Sequence, residues 1–223
     1  MAGVRAVVFD MDGLMFDTEA LNMRGWIAAG KLHGFEITKE HVYRHIGANV
    51  ATTKKLMREQ FGESFDFEAV RGDRIACALD EIERCGMPVK KGLRELLAFL
   101  EREGLKTALG SSTEERIVNI YLERARLNHA FDAVVCGDMV KAGKPAPDIF
   151  LLAVSKLGVP ADECLVLEDS YNGILAAHNA GVRSVMIPDL LPPTPEVEKL
   201  FFRRLDSLLE VIPLIEELNE ENF

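Results

Sequence analysis

The hydrophobic positions of this chain begin with one short run and then change their period. Residues 6–9 read Ala-Val-Val-Phe, which is typical of a short buried strand. Across residues 17–86 the apolar positions recur at helical spacing, and no strand is predicted there. The predicted helical segments are a first one with Leu21, Ile27 and Ala28 on one stripe, followed by residues 42–46, 52–61 and 70–82. A helical insert therefore follows the first strand.

From residue 88 onwards, strand and helix patterns alternate. We predict strands over residues 105–110, 131–136, 164–168 and 183–187, and helices over residues 92–103, 114–125, 147–157 and 171–180. Such alternation is typical of right-handed crossovers and a parallel sheet. The apolar positions of residues 196–219 predict one or two closing helices.

These patterns together predict an α/β fold with a Rossmann-like parallel-sheet core and an inserted all-helical domain. The core is expected at residues 1–16 and 87–223, and the helical domain at residues 17–86. A chain of 223 residues is long enough to bury a sizeable core in such an arrangement.

Composition and charge exclude several classes of partner. The net charge of −10 disfavours a nucleic-acid backbone, because that affinity depends on clustered Lys and Arg. No apolar stretch approaches the length of a membrane span, and the run at residues 6–9 is too early and too short for a signal peptide. The four cysteines lack C-x-x-C spacing, which favours reduced, mostly buried thiols. We therefore expect a soluble, cytoplasmic monomer with no nucleic-acid or membrane partner.

The first strand ends in two carboxylates, Asp10 and Asp12. In α/β proteins the carboxyl ends of the strands are where ligands bind. Crowded carboxylates repel each other unless they share a hard cation, and Mg²⁺ takes oxygen ligands while keeping positions for water and phosphate. A calcium loop is excluded, because Leu14 and Leu21 stand where its third ligand and its twelfth-position Glu belong. The pair therefore indicates a magnesium site for phosphate chemistry.

Polar side chains also follow the other predicted strands. The strand at residues 105–110 leads to Ser111-Ser112-Thr113 at the start of a helix, where free N–H groups favour an anion. Lys144 precedes another helix, and Glu168-Asp169 follows the strand at residues 164–168. Each has a simple structural explanation alone, such as a helix cap or a solvated loop. Because all four segments reach one edge of the sheet, we expect them to form one phosphate site.

In its motifs the chain resembles the haloacid dehalogenase-like superfamily, in the branch that carries a helical cap after the first strand. The matching motifs are D-x-D-G-x-x-x-D-T-E from Asp10 to Glu19, a strand ending at Ser111, G-K-P-x-P-D around Lys144, and E-D-S-x-x-G-I-x-A-A-x-x-A-G from Glu168 to Gly181. The resemblance implies that Asp10 is the nucleophile and Asp12 the general acid and base. It further implies that Ser111 and Lys144 bind phosphate, and that Asp169 binds magnesium with Glu168 beside it.

The chemistry of the residue types agrees with these implied roles. A carboxylate such as Asp10 can attack phosphorus and form an aspartyl phosphate. Asp12 can protonate the leaving group and then activate water. We expect Mg²⁺ to be held by Asp10, by Asp12 through its backbone carbonyl, and by Asp169.

Two further residues are expected to contact the substrate. Ser112 lies beside Ser111, and Asn49 belongs to a glycine-containing turn that touches the substrate in relatives with this cap. His41 and His45 are one helical turn apart, a spacing that can bind metal, but no third ligand accompanies them.

Within the superfamily, hydrolysis of a phosphate monoester is the expected reaction. A dehalogenase needs neither a second Asp nor a metal site, whereas this chain has both Asp12 and Glu168-Asp169. Relatives with β-phosphoglucomutase activity carry a cap His after D-T and an Arg in the glycine turn, where this chain has Asn22 and Val50. Because these two positions supply no cap cation for a second phosphate, the sequence disfavours the mutase, which is kept as the alternative. A phosphate-sensing module without catalysis is a weaker alternative. The expected partner is a small phosphorylated metabolite such as a sugar phosphate.

Overall fold

The computed structural model describes residues 2–220, which form a parallel sheet flanked by helices. The strands are β1 (Ala6–Phe9), β2 (Lys106–Gly110), β3 (Ala133–Val135), β4 (Cys164–Glu168), β5 (Arg183–Met186) and β6 (Arg203–Arg204). The helices are α1 (Thr18–Leu32), α2 (Lys39–Tyr43), α3 (Val50–Phe61), α4 (Phe67–Cys85), α5 (Leu93–Arg102), α6 (Glu115–Ala125), α7 (Asp148–Leu157), α8 (Tyr171–Asn179) and α9 (Val211–Glu220). Within the described residues, none of the helices combines the length and the apolar character that a membrane crossing requires.

The sheet places the end of β1 at its centre. The strand order is β3-β2-β1-β4-β5-β6, and every neighbouring pair is parallel. Phe9 is in register with Leu109 of β2 and with Leu167 of β4. Asp10 and Glu168 therefore leave the sheet at the same level, next to the end of β2, as predicted for a site at the carboxyl edge.

β1 is apolar throughout because both faces of the sheet are covered. Val7 and Phe9 join one core cluster with α5, α6 and α9, whereas Ala6 and Val8 join a second cluster with α7 and α8. Successive side chains of a strand point to opposite faces, so a sheet packed on both sides gives a continuous apolar run.

The strand predictions agree with the structure for β1, β2, β4 and β5, apart from small shifts at their ends, whereas two other predictions need correction. The second helix of the insert begins after Thr38, whose backbone N–H bonds to His41 in a capping box, and ends at Tyr43, so that residues 44–47 are not helical. The tail contains the edge strand β6 before α9. The sequence does not predict β6, because Arg203–Arg204 is exposed and is defined only by backbone pairing with β5.

Side-chain burial differs from the prediction at two places. In α1 the buried stripe contains Trp26 and Ala29, whereas Ala28 is exposed, because the helix packs against the other insert helices. All four cysteines are free thiols, but only Cys136 and Cys164 are buried.

The helices between residues 18 and 85 connect to the sheet through two adjacent chain crossings. These helices have an apolar cluster of their own around Trp26 and Phe67. Phe16 and Val89 form an antiparallel bridge, and Asp17 N–H donates to the Pro88 carbonyl at 2.8 Å. The two crossings are thus paired with each other beside the end of β1.

Candidate active site

The loop after β1 brings Asp10 and Asp169 into close approach. Gly13 has φ +89°, and its N–H donates to the Phe16 carbonyl at 2.8 Å. A Cβ at this position would collide with the Asp169 carboxylate. Only glycine satisfies both the backbone conformation and the space, so Gly13 allows the two aspartate segments to pack together.

Lys144 is held between two carboxylates at the floor of the site. Its Nζ donates to Asp10 Oδ1 at 2.5 Å and to Glu168 Oε1 at 2.6 Å, and all three side chains are buried. Burial opposes the charged form of Lys144, but the two carboxylates outweigh it and raise its pKa above the usual value. The ammonium is therefore a fixed positive charge at the end of β1.

Burial also raises the pKa of Asp10, to about 8, although Lys144 opposes this shift and Glu168 adds to it. The pKa of Asp169 is likewise well above its usual range, because of burial first and then of the neighbouring Glu168 and Asp10. Lys144 bonds to only two of these three buried acids, so the group would carry an excess of negative charge if all three were ionised.

These acids fit a divalent cation. Asp10, Glu168 and Asp169 each offer an oxygen, and these oxygens lie within 4.8 Å of one another. Asp169 Oδ1 is buried and has no hydrogen-bond partner among residues 2–220. By contrast, Glu168 already accepts from Lys144 and from Ser170. A hard cation with oxygen ligands would compensate both the charge excess and the unpartnered oxygen.

The Asp12 carboxylate is oriented away from this cluster. Its Oδ1 accepts from Thr18 Oγ1 at 2.5 Å, and its Oδ2 accepts from Thr113 Oγ1 at 2.7 Å. Thr18 begins α1 and Thr113 lies in the loop after β2, so the carboxylate is held from both sides. The predicted metal contact of Asp12 is therefore left to its backbone carbonyl.

The predicted phosphate-binding serines lie beside Asp10 and Asp12. Ser111 is buried, and its Oγ accepts from Thr113 N–H at 3.0 Å, which leaves its hydroxyl proton free to donate. Ser112 Oγ donates to the carbonyl of Gly47 at 3.1 Å and so joins this loop to the helical segment.

A cavity of about 110 Å³ lies between these residues and the insert helices. Its core side includes Asp10, Asp12, Ser111, Ser112 and Thr113. Its other side combines apolar and polar groups, including Trp26, Val42, Val50 and Phe67 with Glu19, Asn22, His45, Arg71 and Arg74. The carboxylates at the end of β1 thus form one end of this cavity.

Of the two asparagines considered in the sequence, only Asn22 lines the cavity. Asn49 instead caps α3, where its Oδ1 accepts from Thr52 N–H at 2.9 Å, and it packs closely on Gly143. The difference arises because an asparagine before a helix is drawn to the free N–H groups of the first turn. Contact of Asn49 with a substrate stays a prediction.

The inference that the helical segment lacks a cation at the site is wrong. Arg71 and Arg74 of α4 both line the cavity. The helix predicted over residues 70–82 carried no assigned site residue, although the two arginines stand three residues apart beside the apolar stripe of Val70, Ile75 and Ala78. That spacing is the signal that could have identified them. Because both arginines line the cavity, the lack of a cap cation no longer argues against the mutase.

The two histidines are not brought together as metal ligands. His41 Nδ1 accepts from Thr38 N–H at the start of α2. His45 is buried in the cavity wall, where burial and the charge of Arg74 lower its pKa to about 4. Within residues 2–220, the only group of three such side chains arranged for a metal is that of Asp10, Glu168 and Asp169.

Comparison with known proteins gives consistent matches. The model of the haloacid dehalogenase-like hydrolase family matches residues 4–181. The phosphorylated carbohydrates phosphatase of Thermotoga maritima is 31% identical over 182 residues, which cover 82% of this chain and 84% of that protein. Hexitol phosphatase B of Escherichia coli is 30% identical over 188 residues, covering 83% and 84%. The crystal structure of a hydrolase from Pseudomonas syringae has a TM-score of 0.84 and 27% identity, covering 96% of this chain and 99% of that one.

Proposed function

Because this chain belongs to the haloacid dehalogenase-like hydrolase family, we propose that it is a Mg²⁺-dependent phosphatase acting through an aspartyl phosphate on Asp10. Its substrate is a small phosphate monoester, such as a sugar phosphate or a similar phosphometabolite. The observation that carries the proposal is the buried group of Asp10, Lys144, Glu168 and Asp169 at the carboxyl edge of the sheet, of which Asp10 also lines the cavity. The phosphatase relatives support the reaction class.

The residues that would hold Mg²⁺ are Asp10, Asp169 and the backbone carbonyl of Asp12. When bound, Mg²⁺ supplies positive charge that offsets the repulsion between a carboxylate nucleophile and an anionic phosphate. Lys144 adds a second positive charge. Two of its three N–H donors bind Asp10 and Glu168, and the third would donate to a phosphate oxygen. Ser111 donates to the phosphate with its free hydroxyl proton.

The reaction then follows from the positions of the two aspartates. An oxygen of Asp10 attacks phosphorus while Asp12 gives its proton to the leaving oxygen, and the alcohol departs. Asp12 next takes a proton from water, whose oxygen attacks the phosphoryl group, and phosphate leaves as Asp10 is restored. The hydroxyls of Thr18 and Thr113 hold the Asp12 carboxylate in place for both proton transfers.

Residues 17–86 act in this proposal as a cap that closes over the site. The cap contacts the core where Ser112 meets Gly47, where Asn172 Nδ2 donates to the Ile46 carbonyl at 2.9 Å, and where Arg71 pairs with Glu114 at 2.8 Å. Closure excludes bulk water while the substrate is seated. The two paired crossings near residues 13–17 and 86–91 are the hinge on which it moves.

Turnover of p-nitrophenyl phosphate tests the proposed reaction. The purified protein is expected to release phosphate from this ester and from short phosphometabolites when Mg²⁺ is present, and to stop when the metal is chelated. The assay measures both inorganic phosphate and movement of phosphate between positions of a hexose phosphate. Absence of any turnover in the presence of Mg²⁺ would contradict the proposal. Transfer of phosphate between hexose positions without release of inorganic phosphate would identify a mutase instead.

Mg²⁺ is expected to stabilise the protein more at high pH than at low pH. The pKa of Asp10 rises from 3.8 to about 8 in the metal-free fold. At a pH between these two pKa values, Asp10 is protonated in the folded protein but ionised in the unfolded chain. The free energy of unfolding of the metal-free protein therefore falls as pH rises. The cation binds only the ionised cluster and reverses this loss.

The measurement is Tm with and without Mg²⁺ at about pH 6 and about pH 8, and the increment in Tm should be larger at the higher pH. Asp169→Asn is the matched control and should lose most of the increment. An increment that does not depend on pH, or that survives in Asp169→Asn, would place the metal elsewhere.

A further inference from the structure

The hydroxyl of Tyr121 is a polar group on the core side of the cavity for which the fold supplies no partner. Tyr121 lies on the buried face of α6, and its side chain lines the cavity. The residue is only 3% exposed, and its hydroxyl makes no hydrogen bond to any group within residues 2–220. A polar group removed from bulk water without a partner costs free energy. The molecule that fills the cavity is therefore expected to supply the partner.

The charged groups that act on this hydroxyl all belong to the cavity wall. Burial is the main cause that raises the pKa of Tyr121; Asp12 and Glu19 raise it further, and Arg74 opposes the shift. Asp12, Glu19 and Arg74 each line the cavity, so the hydroxyl end of the ring lies beside the space between them. With its pKa raised, the phenol keeps its proton at neutral pH and acts as a hydrogen-bond donor.

Packing within the core fixes the ring of Tyr121. The ring meets Phe16 edge to face, with centroids 6.4 Å apart and an interplanar angle of 89°. Both residues belong to the core cluster that also contains Ile117, one turn earlier on α6. A hydroxyl on a ring that is already held in place loses little conformational freedom when it binds a ligand.

Tyr121 shares its side of the cavity with Asp12, which is the proposed general acid. Thr113, in the loop that leads into α6, holds the Asp12 carboxylate at 2.7 Å. Because Asp12 gives its proton to the leaving oxygen, the leaving alcohol extends from Asp12 into the cavity, where Tyr121 is available to it. The phenol needs an acceptor, and an uncharged oxygen suits this position better than an anion, which the carboxylate of Asp12 would repel.

We infer that Tyr121 is a specificity-determining residue that donates a hydrogen bond to an uncharged hydroxyl of the leaving alcohol. This inference rests on the proposed function, because it takes Asp12 as the acid for the leaving oxygen. An ester that carries the hydroxyl replaces the water lost from Tyr121 on binding. A plain alkyl ester would displace that water and leave the phenol unpartnered, so it should be a poorer substrate.

Three esters of one chain length test this assignment. We compare 2-hydroxypropyl phosphate and 3-hydroxypropyl phosphate each with propyl phosphate. The wild-type protein should prefer at least one hydroxylated ester by roughly 5- to 50-fold in kcat/KM. Because a hydroxyl on the second carbon also makes the alcohol a better leaving group, the deciding quantity is the change in this ratio between the wild type and Tyr121→Phe.

Tyr121→Phe should lower the ratio by about fivefold or more, since it removes the donor and keeps the ring. Tyr43→Phe makes the same change at a half-buried tyrosine of the cap cluster and should leave the ratio intact. The second measurement is Tm without substrate. Because the Tyr121 hydroxyl has no partner in the fold, Tyr121→Phe should be at least as stable as the wild type.

The outcomes separate this inference from the proposed function. If the wild-type protein hydrolyses p-nitrophenyl phosphate but the ratio is the same in Tyr121→Phe, the assignment of Tyr121 is wrong and the phosphatase proposal stands. A Tm of Tyr121→Phe well below that of Tyr43→Phe would show that the hydroxyl serves the fold and would also overturn the assignment. Absence of turnover on every ester would overturn both proposals.

Discussion

Asp10→Asn is expected to lower kcat by at least ~10³-fold while the protein keeps its fold, because the amide cannot act as the nucleophile. The amide oxygen can still accept the hydrogen bond that Lys144 now donates to Asp10 Oδ1. The substitution also removes one of three crowded buried carboxylates. Folding should therefore be preserved, and the loss should lie in the chemical step.

The measurement is kcat on p-nitrophenyl phosphate together with Tm for the same preparation. Asp162→Asn makes the same chemical change at an exposed aspartate outside the site and should behave as the wild type. Turnover of Asp10→Asn close to that of the control would mean that water, rather than Asp10, attacks phosphorus.

Lys144→Met is expected to have the second large effect, on stability as well as on activity. It removes the one ammonium that bonds to Asp10 and Glu168 in a buried environment. Breaking a buried ion pair by deleting one partner costs about 3–5 kcal/mol, because the remaining charge is left unpaired. The metal-free variant should lose stability of this order, and Mg²⁺ should restore part of it.

Urea unfolding with and without Mg²⁺ measures the effect on the free energy of unfolding. Lys141→Met, an exposed lysine in the same loop, is the control and should unfold like the wild type. The pKa of Asp10 is raised by burial and by Glu168 and lowered by Lys144, so loss of the ammonium favours its protonated form further. The variant should consequently recover stability as pH falls. Equal unfolding free energies for Lys144→Met and Lys141→Met would contradict the description of this cluster.

The core could be predicted from the sequence because its signals are local. β1 and β4 are apolar on both faces, and the polar residues that follow them, Asp10 and Glu168, leave the sheet at one level in the parallel register. A short edge strand such as β6 gives no such signal, since its two arginines are exposed and only the backbone pairs.

The cap side of the site could not be predicted in the same way, because it depends on side-chain direction. The helical period of α4 identifies its buried stripe but does not show that Arg71 and Arg74 enter the cavity rather than solvent. Asn49 shows the opposite case, since its place in a glycine turn suggested a ligand contact while its side chain caps α3. Both outcomes depend on how α1, α3 and α4 pack over the end of β1.

Direct detection of the phosphorylated residue tests the central claim most closely. The protein is mixed rapidly with p-nitrophenyl phosphate and Mg²⁺, quenched in acid within one turnover and digested, and the peptides are weighed by mass spectrometry. The account predicts one added phosphoryl group on the peptide that contains Asp10, at the Asp10 side chain and absent from Asp10→Asn. A protein that turns over its substrate while this peptide stays unmodified at every quench time, or that carries the phosphoryl group on another residue, would contradict it.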